Sequence, residues 1–203
     1  MKRELDYFSI EGGLGWNQHW FSDRWMYLGG CAAVTACDLS IYLARTKGLT
    51  ELYPYDPENL SKEDYLAFSR MMKGYLGPRL TGIDTLELYS SGLQAYWQDV
   101  GAGSLTLAHA EGTLPWMEAG ELIRDRIDSG MIVPFLLLRH QSRALKDYHW
   151  HWFNLAGYEE RQGGFYVKVV TYGSFRWLDF RELWDTGHQR KDGFIRVFAP
   201  GMG

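Results

Sequence analysis

The sequence predicts an α+β fold, and three observations carry that prediction. Helix-like segments fall between Cys31 and Ile127, and strand-like apolar runs dominate from Met131 onward. Helices come first and antiparallel-looking strands later, unlike the alternation of a parallel β-α-β chain. At 203 residues the chain is long enough for a sizeable core, and no internal repeat or linker divides it. A single domain over residues 1–203 is expected, helical to about residue 130 and mainly β from about 131.

Each element has a local reason. Residues 1–29 read as an irregular arm with glycines and aromatics, among them Trp16, Trp20, Phe21, Trp25 and Tyr27. Gly12-Gly13-Leu14-Gly15 follows no strand-to-helix phosphate pattern and reads as a loop. From Cys31 to about residue 46 the chain is apolar nearly all round, the mark of a buried helix, and Lys47-Gly48 ends it. Leu49 to Asn59 is a proline-containing loop. Ser61 followed by Glu63 and Asp64 caps a helix running to about Tyr75, broken by Gly77-Pro78. Thr81 or Asp84 caps the next, through Trp97 and ending near Gly101. Ser104 to Ala108 reads as a short strand, and Pro115 to Ile127 as a helix with proline in an allowed first-turn place. Met131 to Arg139 is a buried strand, although Pro134 would suit an edge or a bulge better. His149 to Tyr158, Phe165 to Tyr172 and Phe194 to Phe198 read as strands, with a helical turn over Phe180 to Trp184.

Composition narrows the function. The net charge of −4, with no long run of either sign, gives no electrostatic case for nucleic acid or an anionic membrane. The longest apolar runs, such as Met131 to Leu138, are too short to span a bilayer. The opening Met1-Lys2-Arg3-Glu4-Leu5-Asp6 does not read as a secretory signal. On one helix, Cys31 and Cys37 would stand roughly 9 Å apart along the axis. A disulfide spans at most about 7 Å. Free thiols and a cytoplasmic location are therefore expected. Nine Trp and thirteen Tyr imply a ring-rich core or groove.

Gly29-Gly30-Cys31 sets a thiol where a glycine turn ends and a helix begins. Partial positive charge and unpaired N–H groups there favour a thiolate. Cys37 falls inside the helix and reads as core. A cysteine nucleophile also needs an imidazole and oxyanion donors. His151, in a distant strand-like run, supplies the base and then the acid. The Gln18 amide and the Cys31 N–H supply the donors. His149 and His151 would share a face of a regular strand and could hold a metal with Cys31 or His140. The sequence has no tight ligand cluster, so neither a metal nor another cofactor is expected.

Gln18-His19-Trp20-Phe21 and Gly29-Gly30-Cys31-Ala32-Ala33 together resemble the start of papain-like cysteine peptidases, in the style of the bacterial branch that includes double-glycine leader peptidases. His151-Trp152-Phe153-Asn154-Leu155-Ala156-Gly157-Tyr158 resembles that branch's histidine strand, Val167 to Gly173 the strand after it, and Trp177 to Trp184 the segment ending the fold. The resemblance covers residues 16–46 and 148–186. It implies a papain-like fold in which a buried helix carries Cys31 at its N-terminus and packs on a C-terminal antiparallel sheet, acting on a peptide or protein substrate. The chain departs from the pattern at Cys31-Ala32, where many relatives have Cys-Gly, and at the third catalytic residue. Relatives orient the histidine with Asp or Asn at the end of the next strand. Here Val170-Thr171-Tyr172-Gly173 offers only Thr171 as a weak acceptor, or Asp179 if the hairpin folds it back. Asn154, three residues along the strand, points to the opposite face. Three readings stand: a cysteine peptidase or related thiol-dependent acyl hydrolase, a degenerate relative that binds peptides, and an acyltransferase or amidase on the same scaffold.

Overall fold

The structure, a computed structural model, describes residues 1–17, 20–23, 26, 29–77, 82–190 and 193–199. Three short strands, β1 (Lys2–Glu4), β2 (Ser9–Ile10) and β3 (Gly13–Leu14), precede α1 (Cys31–Lys47). Two more helices follow, α2 (Lys62–Leu76) and α3 (Leu86–Asp99), then β4 (Thr106–Glu111) and α4 (Trp116–Asp128). The remainder is β5 (Val133–Leu137), β6 (His151–Arg161), β7 (Gly164–Thr171), β8 (Ser174–Asp179), α5 (Phe180–Trp184) and β9 (Gly193–Phe198). The fold is α+β, as the sequence predicts.

Helix α1 forms the centre of the core. Val34, Cys37, Leu39, Ile41 and Leu43 have no accessible surface. Gly48 ends the helix in the left-handed region at φ 70°, where its N–H reaches the Leu43 carbonyl. Ser61 caps α2 by accepting from the Asp64 N–H at 3.0 Å. The cap of α3 is Thr85, which accepts from the Leu88 N–H at 3.2 Å, rather than Thr81 or Asp84. Thr81 lies outside the described residues.

The main sheet is antiparallel throughout, in the order β4-β9-β5-β6-β7-β8, with β1 also paired to β6. Strand β5 pairs with the first half of β6, from His151 to Leu155, and β1 with Gly157 to Glu159. Since β7 holds the other edge of β6, β1 extends the line of β5. Residues 1–29 are therefore not simply an irregular arm. They contribute a strand to the sheet, and β2 and β3 form a small hairpin where Gly12 to Gly15 was expected to be a loop. The register between β6 and β7 shifts between Leu155 and Tyr158. At Gly157 a Cβ would meet the Arg3 carbonyl oxygen at 2.8 Å, so the close approach of β1 demands glycine there. Pro134 is tolerated inside β5 because β9 pairs only with Phe135 and Leu136, leaving it outside that ladder.

Contacts between α1 and β6 set the site. The Cys31 thiol meets the backbone N–H of Trp152, and Asn154 Nδ2 donates to the Thr35 carbonyl at 3.3 Å. The helix therefore runs along the strand in the same direction and begins where the strand begins. Among the described residues, no helix is long and apolar enough to cross a membrane.

Candidate active site

A close approach creates the entry to α1. The Gly30 N–H donates to the Met26 carbonyl at 3.0 Å. A Cβ on Gly30 would lie 2.6 Å from that same oxygen. Glycine is therefore required, and it places Cys31 at the first helical position. Cys31 is part-exposed and Cys37 fully buried, and both are free thiols. Burial pushes the Cys31 thiol up, against the downward pull of backbone N–H groups of Trp152, Ala32 and Cys31 itself. The expected helix-start thiolate is thus outweighed by desolvation.

His151 opens β6 and is buried. Its Nε2 lies 2.8 Å from Thr171 Oγ1, at the end of β7. Its ring lies parallel to that of Tyr172, at 4.6 Å between centroids and 8° between planes. The Tyr172 hydroxyl is 3.4 Å from Nδ1, but with parallel rings it sits over the imidazole plane rather than on the lone pair. We read this contact as stacking. Burial pushes His151 down to about 3, so the ring is neutral across the physiological range.

Tyr172 holds its place against backbone strain. With Gly173 it forms a two-residue turn between β7 and β8, at φ 54° and 72°. Positive φ at both central residues defines the hairpin turn that favours Asn-Gly. A tyrosine there costs of order 1–3 kcal/mol, offset in part by its stack on His151. Trp16, buried in the N-terminal arm, packs against the Tyr172 ring at 5.8 Å. Burial, followed by the charges of Cys31 and Asp147, pushes the Tyr172 phenol up to about 12. Tyr172 therefore stands against His151 and within electrostatic reach of Cys31. Beyond Thr171 a cleft of about 200 Å³ opens, lined by Asp147, Tyr148, Val169, Tyr172, Phe175 and Arg176. A larger cleft of about 390 Å³ lies by Gly163, at the other end of β6.

Other expected site residues fall elsewhere. Asp179 does not reach His151: it pairs with Tyr166 at the far end of the β7–β8 hairpin, whereas Thr171 pairs with Ser174. At about 3.3 Å per residue, that separation is roughly 17 Å. Its carboxylate instead caps α5, accepting from the Glu182 N–H at 3.2 Å. Gln18 lies outside the described residues. Asn154 turns to α1, and its amide donates to the Tyr7 hydroxyl at 3.0 Å. His149 does not share a strand face with His151. It follows a 3₁₀ turn (Arg143–Tyr148), Trp150 at φ 54° separates it from β6, and its Nε2 accepts from the His140 N–H at 3.2 Å. His140 has its ring engaged by the Glu182 carbonyl and the Ser142 N–H.

Two functional features lie outside the sequence motifs. Tyr172 has a weak sequence signal, a bulky residue before glycine in a two-residue hairpin loop. Asp38 is the one acid in the apolar stretch of α1. It is buried and accepts from Tyr65 Oη at 2.7 Å, from Tyr7 Oη at 2.8 Å and from the Trp16 N–H. Burial pushes it up to about 7 despite those donors. No protein-family model matches the chain, and no match to a curated protein was found.

Proposed function

We propose that the protein is a papain-like thiol-dependent acyl hydrolase acting on peptide bonds, with Cys31 as nucleophile and His151 as its base. One observation carries the reading: the thiol at the start of a buried helix meets the N–H of Trp152, next to a histidine whose ring Thr171 and Tyr172 fix in orientation. With Nε2–H donated to Thr171 Oγ1, Nδ1 is left with the lone pair that takes the thiol proton. Sγ attacks the carbonyl carbon, and the C–N bond breaks as His151 returns the proton to the leaving amine. Water then cleaves the thioester and restores the thiol. The Cys31 N–H and Gln18 are the assigned oxyanion donors. A raised thiol and a lowered imidazole make the resting pair neutral, so proton transfer accompanies attack rather than preceding it. Two free thiols suit a reducing, cytoplasmic setting.

A second reading, a peptide-binding module without turnover, is favoured by the hydroxyl that stands in place of a carboxylate beside His151. Exposed Trp150, Tyr172 and Phe175 would supply its apolar contacts. The discriminating experiment is labelling by a peptidyl electrophile, mapped by peptide mass spectrometry in wild type and His151→Gln, beside turnover of fluorogenic peptides. Labelling of Cys31 that depends on His151, with turnover, supports the hydrolase. Labelling that is unchanged by His151→Gln, without turnover, sinks it in favour of the binding module.

A further inference from the structure

Edge strand β4 carries a second cluster of titratable side chains, three strands away from β6 in the sheet. His109 and Glu111 are two residues apart on β4 and so share a face. Glu87 comes from the first turn of α3. These three residues bring one ligand atom each within 4.8 Å of one another. His109 Nδ1 lies 3.8 Å from Glu87 Oε1 and 3.8 Å from Glu111 Oε1. The other ring nitrogen, Nε2, is 2.8 Å from the hydroxyl of Ser90, a buried residue one turn along α3.

The arrangement has the parts of a metal centre. A ligating histidine characteristically has its second nitrogen held by a hydrogen bond, which aims the first at the ion. Ser90 does this here, and Nδ1 faces both carboxylates. Glu87 is not needed to cap α3, because Thr85 already does so. Among the described residues, neither Glu87 nor Glu111 pairs with a lysine or arginine; His109 is the ion-pair partner of both. Two carboxylates therefore converge on one imidazole without a permanent cation between them.

We infer that Glu87, His109 and Glu111 form a binding site for a divalent zinc ion. One imidazole with two carboxylates suits zinc better than calcium or magnesium, which take all-oxygen shells. Tetrahedral zinc with ligand bonds of about 2.0–2.2 Å separates ligand atoms by roughly 3.3–3.6 Å. Drawing the 3.8 Å pairs to that spacing needs only small side-chain rotations of two exposed glutamates. Three protein ligands leave the fourth position to water. The ion would tie α3 to the edge strand. Helix α3 also carries Tyr89, whose ring stacks on Trp152 at 4.1 Å, so the brace would stiffen the wall beside His151.

The test is calorimetric titration of zinc chloride into untagged Cys31→Ser protein at neutral pH, with Glu111→Gln and His109→Ala added singly to that background. One ion per chain is expected, with affinity falling at least tenfold in each variant. X-ray absorption of the loaded protein should give a nitrogen and oxygen shell without sulfur. Zinc should raise the melting temperature of the background protein but not of Glu111→Gln, an exposed change that leaves the packing intact. Equal affinity in all three proteins, a sulfur-containing shell, or no saturable binding would overturn the site. The last outcome would leave His109 as an ion-pair partner only.

Discussion

Replacing Asp38 by asparagine will tilt the pH dependence of stability. The folded protein holds Asp38 at about 7 against an ordinary 3.8, chiefly because burial disfavours its charge. Between these values the folded state keeps a proton that the unfolded chain has lost, so stability falls as pH rises. At 1.36 kcal/mol per pH unit, the loss from about pH 4 to 7 is at most about 4 kcal/mol. His151 acts in the opposite direction. Burial lowers it from 6.5 to about 3, so here the unfolded chain binds the extra proton. Its contribution is complete above pH 6.5 and is lost as pH falls towards 3, in total at most about 5 kcal/mol. From pH 4 to 6.5 the two slopes oppose each other and nearly cancel. Asp38→Asn removes the falling contribution, so stability relative to wild type should rise with pH by about 3 kcal/mol across that window. His151→Gln should produce a relative fall of similar size. Urea unfolding followed by tryptophan fluorescence at half-unit pH steps reads both, and subtracting the wild-type profile cancels the other carboxylates. Profiles for Asp38→Asn and wild type that stay parallel from pH 4 to 6.5 would refute the reasoning.

Two further outcomes follow from the geometry. Thr171→Asp should place a carboxylate against His151 Nε2, favour the imidazolium and raise Cys31 alkylation at pH 7 by roughly tenfold for each 1.4 kcal/mol of pairing; Thr171→Val should slow it, and equal rates in both variants would remove Thr171 from the site. Gly30→Ala drives a methyl into the Met26 carbonyl, so stability should drop by at least about 2 kcal/mol, read as an earlier urea midpoint.

The legible parts of the sequence were those with local causes. Ser61, Gly48 and the apolar run after Cys31 set α1 and α2 through interactions a few residues long. The aromatic and aliphatic run after His151 set β6 in the same way. Strand β1 was not legible, because Lys2-Arg3-Glu4 has no strand pattern and its partners lie at Gly157 to Glu159. The site divides likewise. Cys31 and His151 announce themselves by type and by the elements they open, and Thr171 by its place at the end of the next strand. Register decided Asp179, and one positive-φ residue, Trp150, separated His149 from His151. Asp38 is not legible in the sequence because its partners Tyr7 and Tyr65 are remote from it along the chain.

The pairing of β1 with β6 has a consequence for biosynthesis. Lys2 emerges from the ribosome long before its partner Glu159. The strands that carry His151 and Thr171 also come late. During most of translation the nascent chain carries an apolar α1 with neither sheet nor imidazole to meet it. Such a topology folds late and slowly, and depends on protection of the exposed helix until the C-terminal strands are released. It also leaves Cys31 apart from His151 until β6 has been made, long after α1.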